Sequence, residues 1–145
     1  MKTELWTSTD FPGGKRILSL GTDIEEYSRI GKHLPSGEPD QLILDVFTPA
    51  EIQLNLRYCQ PVQAFTAGFA CKEAVFKALG KGWMNSGPHW QDVELLFDPA
   101  ERPDGIKMRY SPDVSRMMAS AGGRHLEGKL SFSERYLNFD AFITD

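Results

Sequence analysis

The longest regular pattern in the chain is a helical one between Gln63 and Gly80. Large apolar side chains recur every three or four residues, and alanines fill much of the remaining surface. At about 100° per residue, Glu73 falls on the apolar stripe and Lys77 follows one turn later. A carboxylate on an inward face is unfavourable unless it is paired, hydrogen-bonded or bound to a cation. The pattern therefore predicts a long central helix that carries the functional residues. The apolar stripe comprises Val62, Phe65, Phe69, Phe76 and Leu79.

A strand and a short helix are predicted ahead of this central helix. Residues 16–23 alternate, with Leu18 and Leu20 on one face and Asp23 at the end of the other. A short helix is predicted from Glu25 to about residue 32. Thr22 or Asp23 is a candidate N-cap for that helix, and this is the structural alternative to a functional role for Asp23.

The next helix has a strong start signal. Thr48 is placed as the N-cap, Pro49 as the first helical residue and Glu51 as the third. We expect this helix to run to about Arg57. Pro61 then opens the central helix.

The second half of the chain is predicted to consist mainly of strands. Residues 81–91 form a loop in which Trp83 and Trp90 are expected to be structural anchors. Helices dominate the first half and strands the second, so the predicted fold class is α+β, with a small antiparallel sheet packed on the central helix. The predicted elements are strands 92–97 and 105–110, helix 112–121, and an antiparallel strand pair 125–133 and 137–144.

Composition narrows the class of protein. The 145 residues suit a single domain, taken as residues 16–145 after a polar N-terminal extension of residues 1–15. A net charge of −4 and a pI of about 5.4 argue against nucleic acid as a partner. No apolar run approaches the roughly 20 residues of a membrane span. Two cysteines and no apolar secretory segment favour reduced thiols in the cytoplasm.

Two carboxylates are candidate metal ligands, because Asp23 ends a strand and Glu73 lies on the inner face of the long helix. Mg²⁺ prefers oxygen ligands and commonly uses one or two protein carboxylates together with phosphate oxygens and water. A lysine such as Lys77 adds a point charge that attracts phosphate. The spacing by itself is a weak signal, because many proteins hold an acid and a lysine that can meet.

Three segments, in order, resemble one known family. They are GTDIEEYSRI at residues 21–30, FTPAE at residues 47–51 and FACKEAVFKALGKG at residues 69–82. Together they resemble the holo-acyl-carrier-protein synthase type of 4′-phosphopantetheinyl transferase, and the resemblance extends over residues 16–144. The family pattern is G-x-D-I-x-E-x-x-R-I, then F-T-x-x-E, then F-A-x-K-E-A-x-x-K-A-L-G-x-G.

The resemblance implies transfer of the phosphopantetheine arm of coenzyme A to a serine of an acyl or peptidyl carrier protein. Adenosine 3′,5′-bisphosphate would be released. Asp23 and Glu73 would hold Mg²⁺, and Lys77 would contact a coenzyme A phosphate. Lys72 would pair either with a phosphate or with a neighbouring acid. The resemblance also implies a homotrimer with active sites between subunits, and it leaves the general base open.

The chain departs from the family pattern at three places. The family's S-x-[ST]-H element is matched by Ser131 and Ser133, which would bind coenzyme A, but Glu134 stands where the histidine would be. Gly68 replaces an arginine, and Asp45 or Val46 stands where a basic residue is common. Each change removes positive charge near a polyanionic ligand.

Two hypotheses follow from these departures. The first is an active transferase with altered cofactor contacts, whose replacement charge comes from other basic residues. The second is a homologue that keeps the fold as a binding or interaction protein, because a fold does not fix a function. The candidate replacement cations are Arg29, Lys32, Arg57, Arg124 and Arg135.

Overall fold

The computed structural model describes residues 15–80, 89–97 and 106–145. The strands are β1 (Ile17–Glu26), β2 (Val93–Phe97), β3 (Ile106–Tyr110), β4 (His125–Phe132) and β5 (Tyr136–Thr144). The helices are α1 (Tyr27–Gly31), α2 (Gln41–Val46), α3 (Pro49–Arg57), α4 (Pro61–Leu79) and α5 (Pro112–Ser120). These elements confirm the α+β class. The predicted extension, apart from Lys15, and the predicted anchor Trp83 lie outside the described residues.

An antiparallel sheet in the order β1-β5-β4 packs one face on α4, and β2 pairs with β3 in a separate antiparallel ribbon. The contact between β1 and α4 is closest at Gly21. A Cβ atom there would lie 1.9 Å from the Ala74 carbonyl oxygen and 2.5 Å from the Ala78 nitrogen, so no other residue fits without a shift. One step earlier on the same face, Ser19 Oγ donates to the Ala78 carbonyl oxygen at 2.5 Å. The two elements that carry the candidate carboxylates are therefore held backbone to backbone.

The end of β1 corrects one prediction. The strand continues to Glu26, which pairs with Tyr136 of β5, and α1 begins only at Tyr27. The N-cap of α1 is Glu26, and no side chain caps the helix. The capping roles predicted for Asp23 and Thr22 are therefore wrong, because pairing with β5 keeps both residues in extended backbone.

Most local start and stop signals were predicted correctly. Thr48 and Glu51 form a capping box at the start of α3, and α4 begins at Pro61. Gly80 ends α4 in the left-handed region with φ of 66°, which glycine adopts without strain. Trp90 stacks on Phe69 with ring centroids 5.2 Å apart, so its structural role is confirmed. Within the described ranges, no helix is both long and apolar enough to cross a membrane.

The outer face of the sheet, opposite α4, carries apolar side chains that the described residues leave exposed. Leu18, Leu20 and Ile24 of β1 are 39%, 56% and 63% exposed. The inner face, by contrast, packs on α4 in a core that includes Phe139 and Ala141 of β5. The alternation predicted for β1 is thus observed: its apolar side chains lie on the outer face, and Ser19, Gly21 and Asp23 lie on the face that meets α4.

Candidate active site

An exposed ion pair joins β1 to α4. Asp23 lies on the face of β1 that carries Gly21, and Lys77 lies in the last turn of α4. Lys77 Nζ donates to Asp23 Oδ1 at 2.8 Å and to the Thr22 carbonyl oxygen at 3.0 Å. The hydrogen bond to Asp23 raises the pKa of the Lys77 ammonium. The lysine side chain remains 51% exposed, so it can still reach a ligand.

A third acid, Glu25, extends this site and was not among the predicted site residues. It is only 4% exposed and follows Asp23 by two residues on the same face of β1. The pKa of the Glu25 carboxyl is raised to about 7, mainly because the group is buried. The negative charge of Asp23, a hydrogen bond with Asp23 and the charge of Glu73 raise it further. Arg29 opposes it through a 3.1 Å contact with Glu25 Oε2. Strand alternation would have revealed Glu25 had the strand been extended by two residues.

The acids around Asp23 fit a hard cation in their donor chemistry. The Asp23 carboxylate contacts the Glu25 carboxyl, and among the described residues its buried Oδ2 accepts no other hydrogen bond. Glu73 lies close enough to raise the pKa values of Glu25 and Lys77. Within residues 15–80, 89–97 and 106–145, no group of three or more His, Cys, Asp or Glu side chains is arranged to hold a metal ion. Mg²⁺ commonly uses only one or two protein carboxylates together with other oxygens, so a larger cluster of protein ligands is not required.

Lys72 lies away from this site. Its side chain is 0% exposed, and its Nζ donates to Glu51 Oε1 at 2.8 Å. Of the two partners left open by the sequence, the structure gives the neighbouring acid. The phosphate contact predicted for Lys72 is not available in this arrangement, because the ammonium is enclosed by protein.

The predicted serines do not meet Asp23 within one chain. Ser131 pairs with Asn138 of β5, which pairs with Ile24, so Ser131 belongs to the outer face of the sheet. Ser133 lies in the turn between β4 and β5, where its Oγ accepts from the Tyr136 nitrogen at 3.2 Å. Glu134, in the same turn, is exposed.

The other departures from the family pattern have local structural explanations. A Cβ atom on Gly68 would lie 2.7 Å from the Phe47 ring, so that ring fills the space a side chain would need. Asp45 accepts from Gln41 Nε2 at 2.8 Å within α2. Neither position supplies a cation to the site.

Comparisons with known proteins agree on the family. The profile of the 4′-phosphopantetheinyl transferase superfamily matches residues 19–118. A holo-[acyl-carrier-protein] synthase of Koribacter versatilis is 35% identical over 133 residues, which cover 89% of this chain and 99% of that protein. The crystal structure of the holo-[acyl-carrier-protein] synthase from Neisseria meningitidis superposes with a TM-score of 0.72 at 22% identity, over 88% of this chain and 98% of that one.

A second similar structure contains a bound ligand. The Helicobacter pylori holo-[acyl-carrier-protein] synthase, in complex with coenzyme A, superposes with a TM-score of 0.65 at 20% identity, over 86% of this chain and 98% of that one. The structural likenesses confirm the α+β fold, with its antiparallel sheet on a long helix. The profile match and the sequence identity show that this chain belongs to the 4′-phosphopantetheinyl transferase superfamily and is a homologue of the holo-[acyl-carrier-protein] synthases.

Proposed function

We propose that this protein transfers the 4′-phosphopantetheine arm of coenzyme A to a serine of an acyl or peptidyl carrier protein. The observation that carries the proposal is the Asp23, Glu73 and Lys77 cluster. These residues match the family motif, and β1 and α4 bring them together at an exposed edge. The similar proteins of Koribacter versatilis and Alteromonas mediterranea are holo-[acyl-carrier-protein] synthases, which supports the same reaction.

We propose Asp23 and Glu73 as the ligands of Mg²⁺. Among the described residues, the buried Asp23 Oδ2 beside the Glu25 carboxyl is a feature that a cation would satisfy. When bound, Mg²⁺ neutralises charge on the pyrophosphate and on the leaving phosphate. Without a cation, the carboxylates would repel a polyanionic ligand.

We assign Lys77 to a phosphate of coenzyme A. The ammonium has three N–H donors, and two of them bond Asp23 and the Thr22 carbonyl oxygen. Among the contacts of the described residues the third donor has no acceptor, and we propose that a phosphate oxygen accepts it. The ion pair with Asp23 fixes the direction of the ammonium. The incoming serine hydroxyl must lose a proton, and we propose that a carboxylate of the cluster accepts it, directly or through water.

We further propose that the active protein is a homotrimer in which chains meet through the outer face of the sheet. Its exposed Leu18, Leu20 and Ile24 support an interface, because apolar patches on soluble proteins commonly mark contact surfaces. Ser131 belongs to the same face, so it and Ser133 are proposed to contact coenzyme A at a neighbouring chain's site. Sedimentation of Leu20→Glu as a monomer, beside a trimeric wild type, would support this assembly.

We propose that the carrier protein docks beside α1. We also propose that the protein acts in the cytoplasm. Two exposed cations there are held by acids: Arg29 by Glu25 at 3.1 Å and Arg135 by Glu26 at 2.6 Å. Because carrier proteins are acidic, these mixed charges predict weak electrostatic steering.

A non-catalytic homologue is the second candidate function. The exposed Glu134 and the closed space at Gly68 favour it, because both replace a basic group of the family pattern. Calorimetry with coenzyme A and Mg²⁺ separates the two, since a repurposed protein would show no binding.

The direct test is incubation of the protein with coenzyme A, Mg²⁺ and several apo carrier proteins. Mass spectrometry of each carrier protein reads the added arm, and a carrier variant with its acceptor serine changed to alanine is the control. Mg²⁺-dependent labelling of the serine supports the proposal. No labelling of any carrier, together with no coenzyme A binding, contradicts it.

A further inference from the structure

The ammonium of Lys72 lies in a fully satisfied polar network. Its Nζ donates to Glu51 Oε1 at 2.8 Å, to the Trp90 carbonyl oxygen at 3.0 Å and to the Val93 carbonyl oxygen. A lysine has three N–H donors, so no donor remains for another ligand. Lys72 is therefore occupied entirely by protein groups.

The partner carboxylate is equally complete. Glu51 Oε1 also accepts from the Thr48 nitrogen at 3.1 Å, and Oε2 accepts from the Leu95 nitrogen at 3.2 Å. Burial raises the pKa of Glu51, while the charge of Lys72 acts against the rise. The pair connects three elements, because Glu51 belongs to α3, Lys72 to α4 and the backbone groups at residues 93 and 95 to β2.

This network does not follow from a need for stability. A buried ion pair loses the hydration of both charges, and apolar residues of similar volume often stabilise a protein as well or better. What the pair provides is direction, because each charge-assisted hydrogen bond is fixed in length and angle. Such a network defines how its elements are placed relative to one another.

Helix α4 is fixed on two sides. On one side Trp90 stacks on Phe69 at 5.2 Å and meets Phe76 edge-on at 5.9 Å, around the Lys72 network. On the side that meets β1, Lys77 reaches Asp23. Lys72 immediately precedes Glu73 in the chain, so a shift of the helix at Lys72 moves the candidate metal ligand with it.

We propose that Lys72 and Glu51 are positioning residues, whose buried pair sets the placement of α4 and thereby holds Glu73 and Lys77 opposite Asp23. The inference rests on the proposed transferase function. It assigns Lys72 no contact with coenzyme A and no part in the chemistry. Displacements of about 1 Å can lower a rate by about a hundredfold, so a small movement of the helix is enough to be measured.

The test uses a variant that removes both charges and keeps the volume, Glu51→Gln with Lys72→Met. The double variant contains neither of the two buried charges, so it is designed to fold. Circular dichroism identifies a temperature at which it is fully native, and activity is measured there. Val114→Ala, a core truncation in α5, is the control for destabilisation alone. The measurements are kcat, the KM for coenzyme A, and a crystal structure of the double variant.

We expect kcat of the double variant to fall by about tenfold to a hundredfold, with the KM for coenzyme A changed less than about threefold. Its Lys77 Nζ to Asp23 Oδ1 distance should exceed about 3.5 Å, while Val114→Ala keeps its kcat within about twofold. An unchanged distance overturns the inference, whatever the rate does. So does a tenfold rise in the KM with kcat retained, which would make Lys72 a phosphate ligand. Wild-type labelling tests the proposed function separately, and the distance decides the positioning role even if labelling fails.

Discussion

Helix α4 carries two lysine–carboxylate pairs that are alike in chemistry and opposite in surroundings. Lys72 with Glu51 and Lys77 with Asp23 each have an N–O distance of 2.8 Å. Both side chains of the first pair are 0% exposed, whereas in the second the lysine is 51% and the aspartate 11% exposed. The contact distance therefore says nothing about the role of a pair, and burial decides it.

The difference arises from the helix faces on which the two lysines lie. Five residues separate them, which at about 100° per residue places them well apart around the axis. Lys72 faces α3 and β2, where two backbone carbonyls accept its remaining hydrogen bonds. Lys77 faces the end of β1, where it bonds Asp23 and the Thr22 carbonyl and stays 51% exposed. The first pair is expected to govern folding and placement, and the second to govern ligand binding and catalysis.

The largest effect is expected from breaking the buried pair on one side. Lys72→Met leaves the Glu51 carboxylate buried without its cation, so the free energy of unfolding should fall by about 3–5 kcal/mol. In a domain of this size the melting temperature should drop by roughly 10–15 °C. Urea denaturation at pH 7 measures the change. Glu51→Gln with Lys72→Met should lose much less, and equal losses in both variants would contradict the pair's role in folding.

Breaking the exposed pair of Lys77 and Asp23 should lower activity strongly and stability little. Lys77→Met should lower kcat about a hundredfold, because it removes a charge placed where phosphate charge develops. Its free energy of unfolding should change by less than about 1 kcal/mol, since exposed pairs contribute little. Labelling rates and urea denaturation, measured on the same preparation, check both statements. A variant that unfolds easily and keeps its rate would reverse the assignment of the two pairs.

The acid beside the exposed pair gives a pH dependence. The pKa of Glu25 is raised to about 7, so the folded state binds its proton more tightly than the unfolded chain, whose carboxyl titrates near 4.5. Stability from this group is therefore fully present below about pH 4.5 and declines as the pH rises to about 7. Glu25→Gln cannot ionise and should escape this decline.

We expect Glu25→Gln to be more stable than the wild type by about 1–3 kcal/mol at pH 8 and close to it at pH 4.5, at about 1.4 kcal/mol for each unit of pKa. Thermal unfolding in metal-free buffer across this pH range provides the measurement. Asp140→Asn, a carboxylate change on the outer face, is the matched control. A stability difference that does not vary with pH would show that Glu25 is not held in its neutral form.

The smallest effect is expected at the helix cap next to the buried pair. Thr48 Oγ1 accepts from the Glu51 nitrogen at 3.2 Å, so Thr48→Ala should cost about 1 kcal/mol of stability. The Thr48 nitrogen still donates to Glu51, so the buried pair and kcat should be retained. Thr48→Ser should restore the stability. A tenfold loss of kcat in Thr48→Ala would show that the pair depends on the cap more than its contacts indicate.

Features fixed by local chemistry were predictable from the sequence. The capping box of Thr48 and Glu51, the start of α4 at Pro61 and its end at Gly80 depend on neighbours within a few residues, and all are observed. The long helix and the antiparallel pairing of β4 with β5 were also predicted.

Features fixed by distant partners were not predictable in the same way. The sequence predicts that Glu25 and Glu26 begin a helix, but pairing with β5 makes them strand residues. The same pairing gives Asp23 a partner on α4 in place of a cap. For Lys72 the sequence left a phosphate or an acid as partner, and only the fold shows that Glu51, 21 residues away, is buried beside it.

The central claim is that Asp23 of β1 and Glu73 of α4 support Mg²⁺-dependent transfer of the 4′-phosphopantetheine arm. The most direct test is the rate at which wild type and Glu73→Gln label an apo carrier protein with the arm of coenzyme A, across a titration of Mg²⁺. We predict labelling by the wild type only with Mg²⁺, and a rate at least about a hundredfold lower for Glu73→Gln at the same Mg²⁺ concentration. Equal rates for the two proteins, or labelling by the wild type that is independent of Mg²⁺, would contradict the account.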